Sequence, residues 1–544
     1  MDLRTDHDMS FRVYRNPSGT GILESSRLRG TLSCNAGISV STITMRRFLF
    51  LFPLFLWCAL GWAQIPTLVQ HVSCPNGRST GGAQSSTPDY ICPLPEPSQG
   101  GNALLLGVNV SNSGTFTVSD DKSNAWNLVD SVADGSTGMY VAVYLALNVT
   151  QGTRFIKLHR STTANNVALY ISEYYNVPTS SAIDAHSCSA SPGSTSITAG
   201  KINPSVSGDL LWQFATNGSA GGGVPNSVSS FAAGSQSSIS WQLLSADLYD
   251  GAAAQAGIYT TSGVAINPTF TSGTSEGFDS CVVALKAPTS TTGNPPTNAF
   301  RIVHMLHQQM PQSAPNPWKI QFPTSGNLIV ASYISGGSFI ASATSTPSNT
   351  WSSTGPAAGS LALSAGSQIY YAANASTSNS MTISFTRDST SSDATYMMYD
   401  IVGAAVSPFD NDSGGQTGNQ TNQVSSFSPA GVGLTPTGVA GGNEMIIANT
   451  GWNFCTGNGV SDPAGALFDA ATDTGNGVNG PESVDQNNGW LHYYTASTSA
   501  ITVTWNPMAC DQPEAVWAGR VAAFKAAQSG NSLLPPTGLT AVVR

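Results

Sequence analysis

Glu173 and Asp184 recur in the second half of the chain as Asp400 and Asp410, and alignment of the two halves retains no other acid pair. Two carboxylates flanking a glycosidic bond can divide acid and base work between them, so a carbohydrate-active hydrolase is one use of such a pair. Oxygen ligands for calcium are a second. A third is structural. Glu173 alternates in phase with Leu169 and Ile171, which turns it towards a core, where a carboxylate can accept hydrogen bonds at a sheet crossing. A hydrolase requires the two acids to face one open cleft, whereas the structural use buries them singly.

Other constellations are weaker. Asp120, Asp121 and Asn124 form a short acidic turn before Trp126; it offers oxygens to calcium but lacks a full twelve-residue ligand loop, and a plain Asx turn competes. Gly273-Thr274-Ser275-Glu276-Gly277 fits the nucleophile-elbow pattern, yet no helix pattern follows and no histidine comes after it in that half of the chain. His304 and His307 are three apart, which on a strand puts them on opposite faces and argues against zinc. Trp452, Phe454, Trp490, Tyr493 and Tyr494 flank a Gly- and Asn-rich stretch, 456–488. Aromatic faces beside amide side chains suit a sugar ring, so Trp452, Trp490 and Tyr493 are the candidate ligand-binding residues, with packing around Cys455 and Cys510 as the alternative.

These residues sit on a duplicated frame. Gly101-Asn102-Ala103-Leu104-Leu105 leads to Trp126, and Gly326-Asn327-Leu328-Ile329-Val330 leads to Trp351, at the same spacing and an offset of 225. Tyr144 to Asn148 answers Tyr370 to Asn374, and Cys281 to Lys286 answers Arg520 to Lys525, the offset growing to 239. A period that long means duplicated domains. Between the matched points lie short aliphatic, aromatic and β-branched runs, Ala103 to Val110, Met139 to Leu147, Arg154 to His159, Val167 to Tyr175 and Leu210 to Ala215, separated by Gly, Asn, Ser and Asp. The expected fold is all-β: two tandem β-sandwiches with jelly-roll-like connections, 64–287 and 298–527, joined by a polar linker at 288–297.

Only 9% of the 544 residues are charged, far fewer than in a typical cytosolic enzyme. Met45-Arg46-Arg47, the apolar run Phe48 to Leu60 and Gly61-Trp62-Ala63 read as a signal peptide, with Gln64 as the mature start and 1–44 as an upstream extension without structure. Past residue 63 the chain holds 13 basic and 26 acidic side chains, a net of −13. Such a charge repels phosphate backbones, so nucleic acid is a poor partner. Six cysteines remain, an even number that suits an oxidising compartment. Cys455 with Cys510 is the expected pair in the second copy. Cys74 with Cys92 and Cys188 with Cys281 are the expected pairs in the first, where four cysteines allow three connectivities.

Pro535-Pro536-Thr537-Gly538-Leu539-Thr540-Ala541-Val542-Val543 resembles the first strand of a fibronectin type III domain. The duplicated unit, with its Gly-Asn-Leu strand, the turn before Trp126, the Tyr-x-x-x-Asn strand end, Glu173-Tyr174-Tyr175 and the closing Phe524-Lys525 strand, resembles β-sandwich modules of secreted multidomain bacterial proteins. That resemblance implies an architecture and no chemistry. The expected function is therefore non-enzymatic, without an obligatory cofactor: binding of polysaccharide or another cell-surface ligand, with a hydrolase or a purely structural, adhesive spacer as alternatives.

Overall fold

In the computed structural model, strands buried on both sides read as near-continuous apolar runs, as a sheet covered on both faces requires. Val167–Tyr175 and Ala394–Val402 are buried along almost their whole length. The structure describes residues 64–527, except 76–88, 112–114, 135–138, 162–166, 218–227, 249–250, 311–313, 361–364, 392–393, 421–431, 437–443, 454, 458–459, 462–467, 472–485, 497, 506–507 and 511–514, together with two short strands nearer the start. Among these residues there is no helix, and the chain is all-β.

The β-sandwich expectation holds, and the two copies share it. The central sheet runs in the spatial order Ser352–Ser353, Ala365–Ala375, Asn327–Ser335, Ala394–Val402, Arg301–Met310, Thr67–Pro75, Val167–Tyr175, Ala103–Ser111, Met139–Ala146 and Trp126–Asp134. The second copy supplies the first five strands and the first copy the last five, in mirrored order. Neighbours within each copy are antiparallel, but Arg301–Met310 and Thr67–Pro75 meet in parallel, with His304 opposite His71. A two-fold axis normal to a sheet would set equivalent strands antiparallel. Parallel pairing places the approximate axis in the sheet, along the strands, and exchanges the faces. Equivalent residues of the two copies therefore point to opposite sides of one sheet.

Each outer layer is built by both copies. On one side Ile183–Thr198, Thr269–Leu285, Leu210–Asn217, Ala252–Tyr259 and Ile239–Asp247 continue into Trp318–Thr324, Ser378–Arg387 and Ile340–Thr346 of the second copy. Trp212, Phe214 and Val283 pack there on Leu105 and Tyr170, while Ile320, Phe322 and Phe385 pack on Tyr333 and Met398. On the other side Ala515–Ala526, Glu444–Asn453 and Gln486–Thr495 of the second copy stand beside Asp89–Pro93, Phe155–Arg160 and Phe116–Asp120 of the first. Their Phe524, Met445, Cys92 and Ile156 belong to one core with Leu106, Ile171, Ile302 and Tyr399. The His492 Nε2–H donates to the Pro95 carbonyl at 2.7 Å across this second seam.

The linker lies on the first copy. Asn294 N donates to Asn102 Oδ1 at 2.8 Å, Asn176 N to the Thr292 carbonyl at 2.8 Å, and Gln64 N to the Pro288 carbonyl at 2.9 Å. The Cys74–Cys92 and Cys188–Cys281 disulfides form as expected. Cys455 and Cys510 stand opposite one another in the ladder joining Cys455–Gly457 to Met508–Cys510, their side chains outside the described residues.

The region 1–44 was expected to lack structure, and this is corrected: Arg12–Arg15 and Gly21–Glu24 pair antiparallel, as a unit separate from the main body. In that ladder Arg12 pairs with Glu24 and Tyr14 with Ile22. The signal-peptide residues 45–63 and the fibronectin-like tail lie outside the described residues. No helix among the described residues is long and apolar enough to cross a membrane.

Candidate functional site

Glu173 leaves its strand on the face of Leu169 and Ile171 and is fully buried. Its Oε1 accepts from Gln99 N at 2.8 Å and Asn102 Nδ2 at 2.6 Å, and its Oε2 from Gln70 Nε2 at 2.6 Å. Burial pushes its carboxyl up to about 7, against the pull of these donors. Asp400 repeats the arrangement on the opposite face. Ser325 N donates to Oδ2 at 2.8 Å, Thr324 Oγ1 to Oδ1 at 3.1 Å and His304 Nδ1 to Oδ2 at 2.8 Å. The backbone donors come from turns closed by Gly101 and Gly326, whose φ values of 82° and 83° are open to glycine.

Asp184 lies apart, half-buried on the outer sheet, where Ser205 Oγ donates to its Oδ1 at 2.6 Å. Asp410 takes the Lys525 ammonium at 3.2 Å with its side chain 2% exposed. The hydrolase alternative built on Glu173 with Asp184, or Asp400 with Asp410, is thereby corrected. The phase that aligns Glu173 with Leu169 and Ile171 puts it inside the body, so these acids share no open cleft.

The acidic turn is closed on itself. Asp120 Oδ1 accepts from Lys122 N and Asn124 N, and its Oδ2 from Asn124 Nδ2 at 3.0 Å and the Trp126 indole at 2.8 Å. Arg154 N donates to Asp121 Oδ1 at 2.9 Å. In the second copy Ser345 replaces Asp120 and takes the same two side-chain donors, Asn349 Nδ2 and the Trp351 indole. N–H donors thus occupy both Asp120 oxygens, and a neutral serine fills the same place, so the calcium alternative at Asp120, Asp121 and Asn124 gives way to the turn.

The aromatic expectation is also corrected. Trp490 is 1% exposed, packed in the core edge-on to His307 with ring centroids 5.4 Å apart. Tyr493 is buried, and burial pushes its phenol up to about 12. Their strand runs within an outer layer, between Glu444–Asn453 and Phe468–Ala471. The Trp452 ring and most of 456–488 lie outside the described residues; the Trp452 backbone stands opposite Asn487 and Trp517. Ser275 lies within the strand Thr269–Leu285, with no helix after it. His304 and His307 do face opposite sides, one towards Asp400 and the other towards Trp490.

Strand register also exposes a pair that sequence alignment concealed. Leu210 pairs with Leu285, and Met445 with Phe524. Since Cys281 to Lys286 answers Arg520 to Lys525, Asp209 answers Glu444, not Asn443. Both copies therefore hold an acid, acid and lysine at one end of an outer sheet: Asp184, Asp209 and Lys286 in the first, Asp410, Glu444 and Lys525 in the second. Asp209 and Glu444 are buried.

No protein-family model matches the chain, and no curated protein is similar to it.

Proposed function

We propose that this chain is a secreted, non-enzymatic β-sandwich scaffold, acting as a rigid spacer or adhesive element in an extracellular or cell-surface assembly. The supporting observation is the parallel joint between Thr67–Pro75 and Arg301–Met310. It merges the copies into one central sheet, and both copies then contribute to both covering layers. Neither copy can be withdrawn without opening an apolar core, which suits an element that must hold its length. Two disulfides agree with an oxidising destination. The likeness to modules found beside fibronectin type III domains points the same way.

Mechanical unfolding of residues 64–527 tests this reading. One event releasing the whole body is expected. Two separable events, each with the length of one copy, would overturn it, and so would polysaccharide hydrolysis abolished by Asp184→Asn.

Polysaccharide binding remains a second reading, supported by a different set of aromatics. At the first copy's sheet edge Leu128 is 50% exposed opposite Tyr144, and Phe116 stacks on Tyr140 at 5.1 Å. The second copy has Ser353 where Leu128 stands. Saturable binding to insoluble glycans lost in Leu128→Ala, Tyr144→Ala or Trp452→Ala would favour this reading; binding indifferent to all three would remove it.

A further inference from the structure

The acid, acid and lysine group is arranged differently in the two copies. In the first, Lys286 Nζ donates to the Ser181 carbonyl at 3.3 Å, and Asp184 Oδ1 accepts from the Ser205 hydroxyl at 2.6 Å. In the second, Lys525 Nζ lies 3.2 Å from Asp410 Oδ1. The Asp410 side chain is 2% exposed and that of Lys525 27%. Glu444 is buried and stands directly opposite Lys525 in the ladder between Glu444–Asn453 and Ala515–Ala526. Side chains directly opposite one another leave the same face as near neighbours. Asp410 arrives from the other flank. Phe409 pairs with Phe524 and Asn411 with Ala523, so Asp410 is the extra residue of a bulge, the device by which a strand re-aims a side chain. An amine and two carboxyl groups thus come together from three adjacent strands.

Taking an ammonium and a carboxylate out of water is costly even when they pair. Condensation to an amide removes both charges. Free amines and acids do not condense in water, but a fixed contact supplies an effective concentration that solution cannot, and the fold sets the geometry in advance.

We propose that Lys525 and Asp410 condense to an intramolecular amide, with Glu444 as proton carrier, tying the strand Ala515–Ala526 covalently to Ala404–Asp412. The ammonium first passes one proton to the Asp410 carboxylate, leaving a neutral amine beside a neutral acid. The nitrogen lone pair then attacks Asp410 Cγ and forms the C–N bond. A second proton leaves nitrogen for Glu444 and is handed to the departing hydroxyl, whose C–O bond breaks with its electron pair. Ammonium and carboxylate become amide and water; nothing is oxidised or reduced, and Glu444 ends as it began. The partial exposure of Lys525 gives the water a way out. Only Ala526 follows Lys525 in its strand, so tension entering from residue 527 onward meets the amide before it can peel the ladder. Lys286 has no carboxylate contact of this kind and keeps its amine, which makes the first copy an internal control.

Peptide mapping of the folded full chain by mass spectrometry tests this. Trypsin needs an unmodified lysine side chain, so it should cut after Lys286 but not after Lys525. The peptide holding Lys525 should stay joined to the one holding Asp410, with one water missing from the pair. In Lys525→Arg the two should separate at full mass. In Glu444→Gln they should also separate, while far-ultraviolet circular dichroism shows the parent fold. Complete cutting after Lys525 in the parent protein, with no joined peptide, would overturn the amide. So would a missing water confined to the Asp410 peptide, the mark of a cyclic imide. Linkage that persists in Glu444→Gln would overturn Glu444 as the carrier. The decisive measurement is made on the parent protein and needs no variant to fold, and it does not depend on the scaffold reading, which mechanical unfolding tests separately.

Discussion

His304 Nδ1 lies 2.8 Å from Asp400 Oδ2, in the place where Gln70 Nε2 meets Glu173 Oε2 in the first copy. Strand register makes the match: His304 pairs with Asp400 and Gln70 with Glu173, beside a register shift in each ladder. Two duplicated carboxylates have thus kept one buried donor while its chemistry changed from amide to imidazole. A buried carboxylate stripped of its donor is costly, so His304→Leu should destabilise by about 3 kcal/mol. His304→Gln, which restores the first copy's solution, should cost less than half of that. Urea denaturation of both variants checks the order; equal losses would mean that packing, not the donor, matters here.

Trp490→Ala should lower stability by about 3–5 kcal/mol, the usual range for a large aromatic removed from a core. Thermal melting reads the loss. A variant that melts with the parent protein but fails to bind a glycan would return Trp490 to the surface role first expected of it.

Some of this was legible from residue order and some was not. Strand runs such as Val167–Tyr175, the Cys74–Cys92 disulfide and the self-closing turn at Asp120 are local or nearly so, and alternation, cysteine parity and Asx chemistry signal them; Cys188–Cys281 joins residues 93 apart and was one of three connectivities that parity allows. The inward turn of Glu173 followed from its phase with Ile171. Alternation reports which residues share a face, however, and not what covers that face. Nothing near Trp490 signals that its ring packs in the core. The parallel joint of His71 with His304 spans 233 positions and has no local signature. The equivalence of Asp209 and Glu444 was hidden by a one-residue slip, because Gly441-Gly442-Asn443 imitates Ser207-Gly208-Asp209 better than the true register does.

All six cysteines after residue 63 should be oxidised. Cys455 and Cys510 face one another across two short strands, so non-reducing peptide mapping should recover them linked. A free thiol at either position would refute the third disulfide. Of the other two, Cys188–Cys281 closes the longer loop, with a separation of 93 against 18 for Cys74–Cys92. Its removal by paired Cys→Ala exchange should cost about 4–5 kcal/mol against about 3 for the shorter one.

Asp120→Ala should weaken the turn by about 1–3 kcal/mol, since the Trp126 indole and two backbone amides lose an acceptor together. Ser345→Ala should cost less, having fewer donors to abandon. A chelator should leave the melting temperature unchanged in both the parent protein and Asp120→Ala. Stabilisation by added calcium that vanishes in Asp120→Ala would restore the metal reading.

The seam between the copies carries opposing pH responses. Burial pushes the Glu96 carboxyl from its ordinary 4.5 up to about 7, although the Tyr494 hydroxyl and Ile302 N donate to it and Arg301 lies near. Glu173 is raised likewise by burial. Such groups contribute stability in full below about 4.5 and lose it as pH rises through 7. His492 runs the other way. Burial, only partly offset by its bond to the Pro95 carbonyl, lowers it from 6.5 to about 4, so its contribution is present above 6.5 and lost as pH falls through 4. His71, depressed by burial and by His304, follows the same sign. Between about 4.5 and 6.5 the two trends offset one another, and the parent protein should show a shallow profile there with losses outside it. Glu96→Gln can still accept from Tyr494 and Ile302 through its amide oxygen, so it should match the parent protein at pH 4.5 and exceed it by roughly 1–3 kcal/mol at pH 8. Urea denaturation at the two pH values decides: a difference that does not change with pH would show that Glu96 is ionised throughout and that Arg301 and its donors, not burial, govern it.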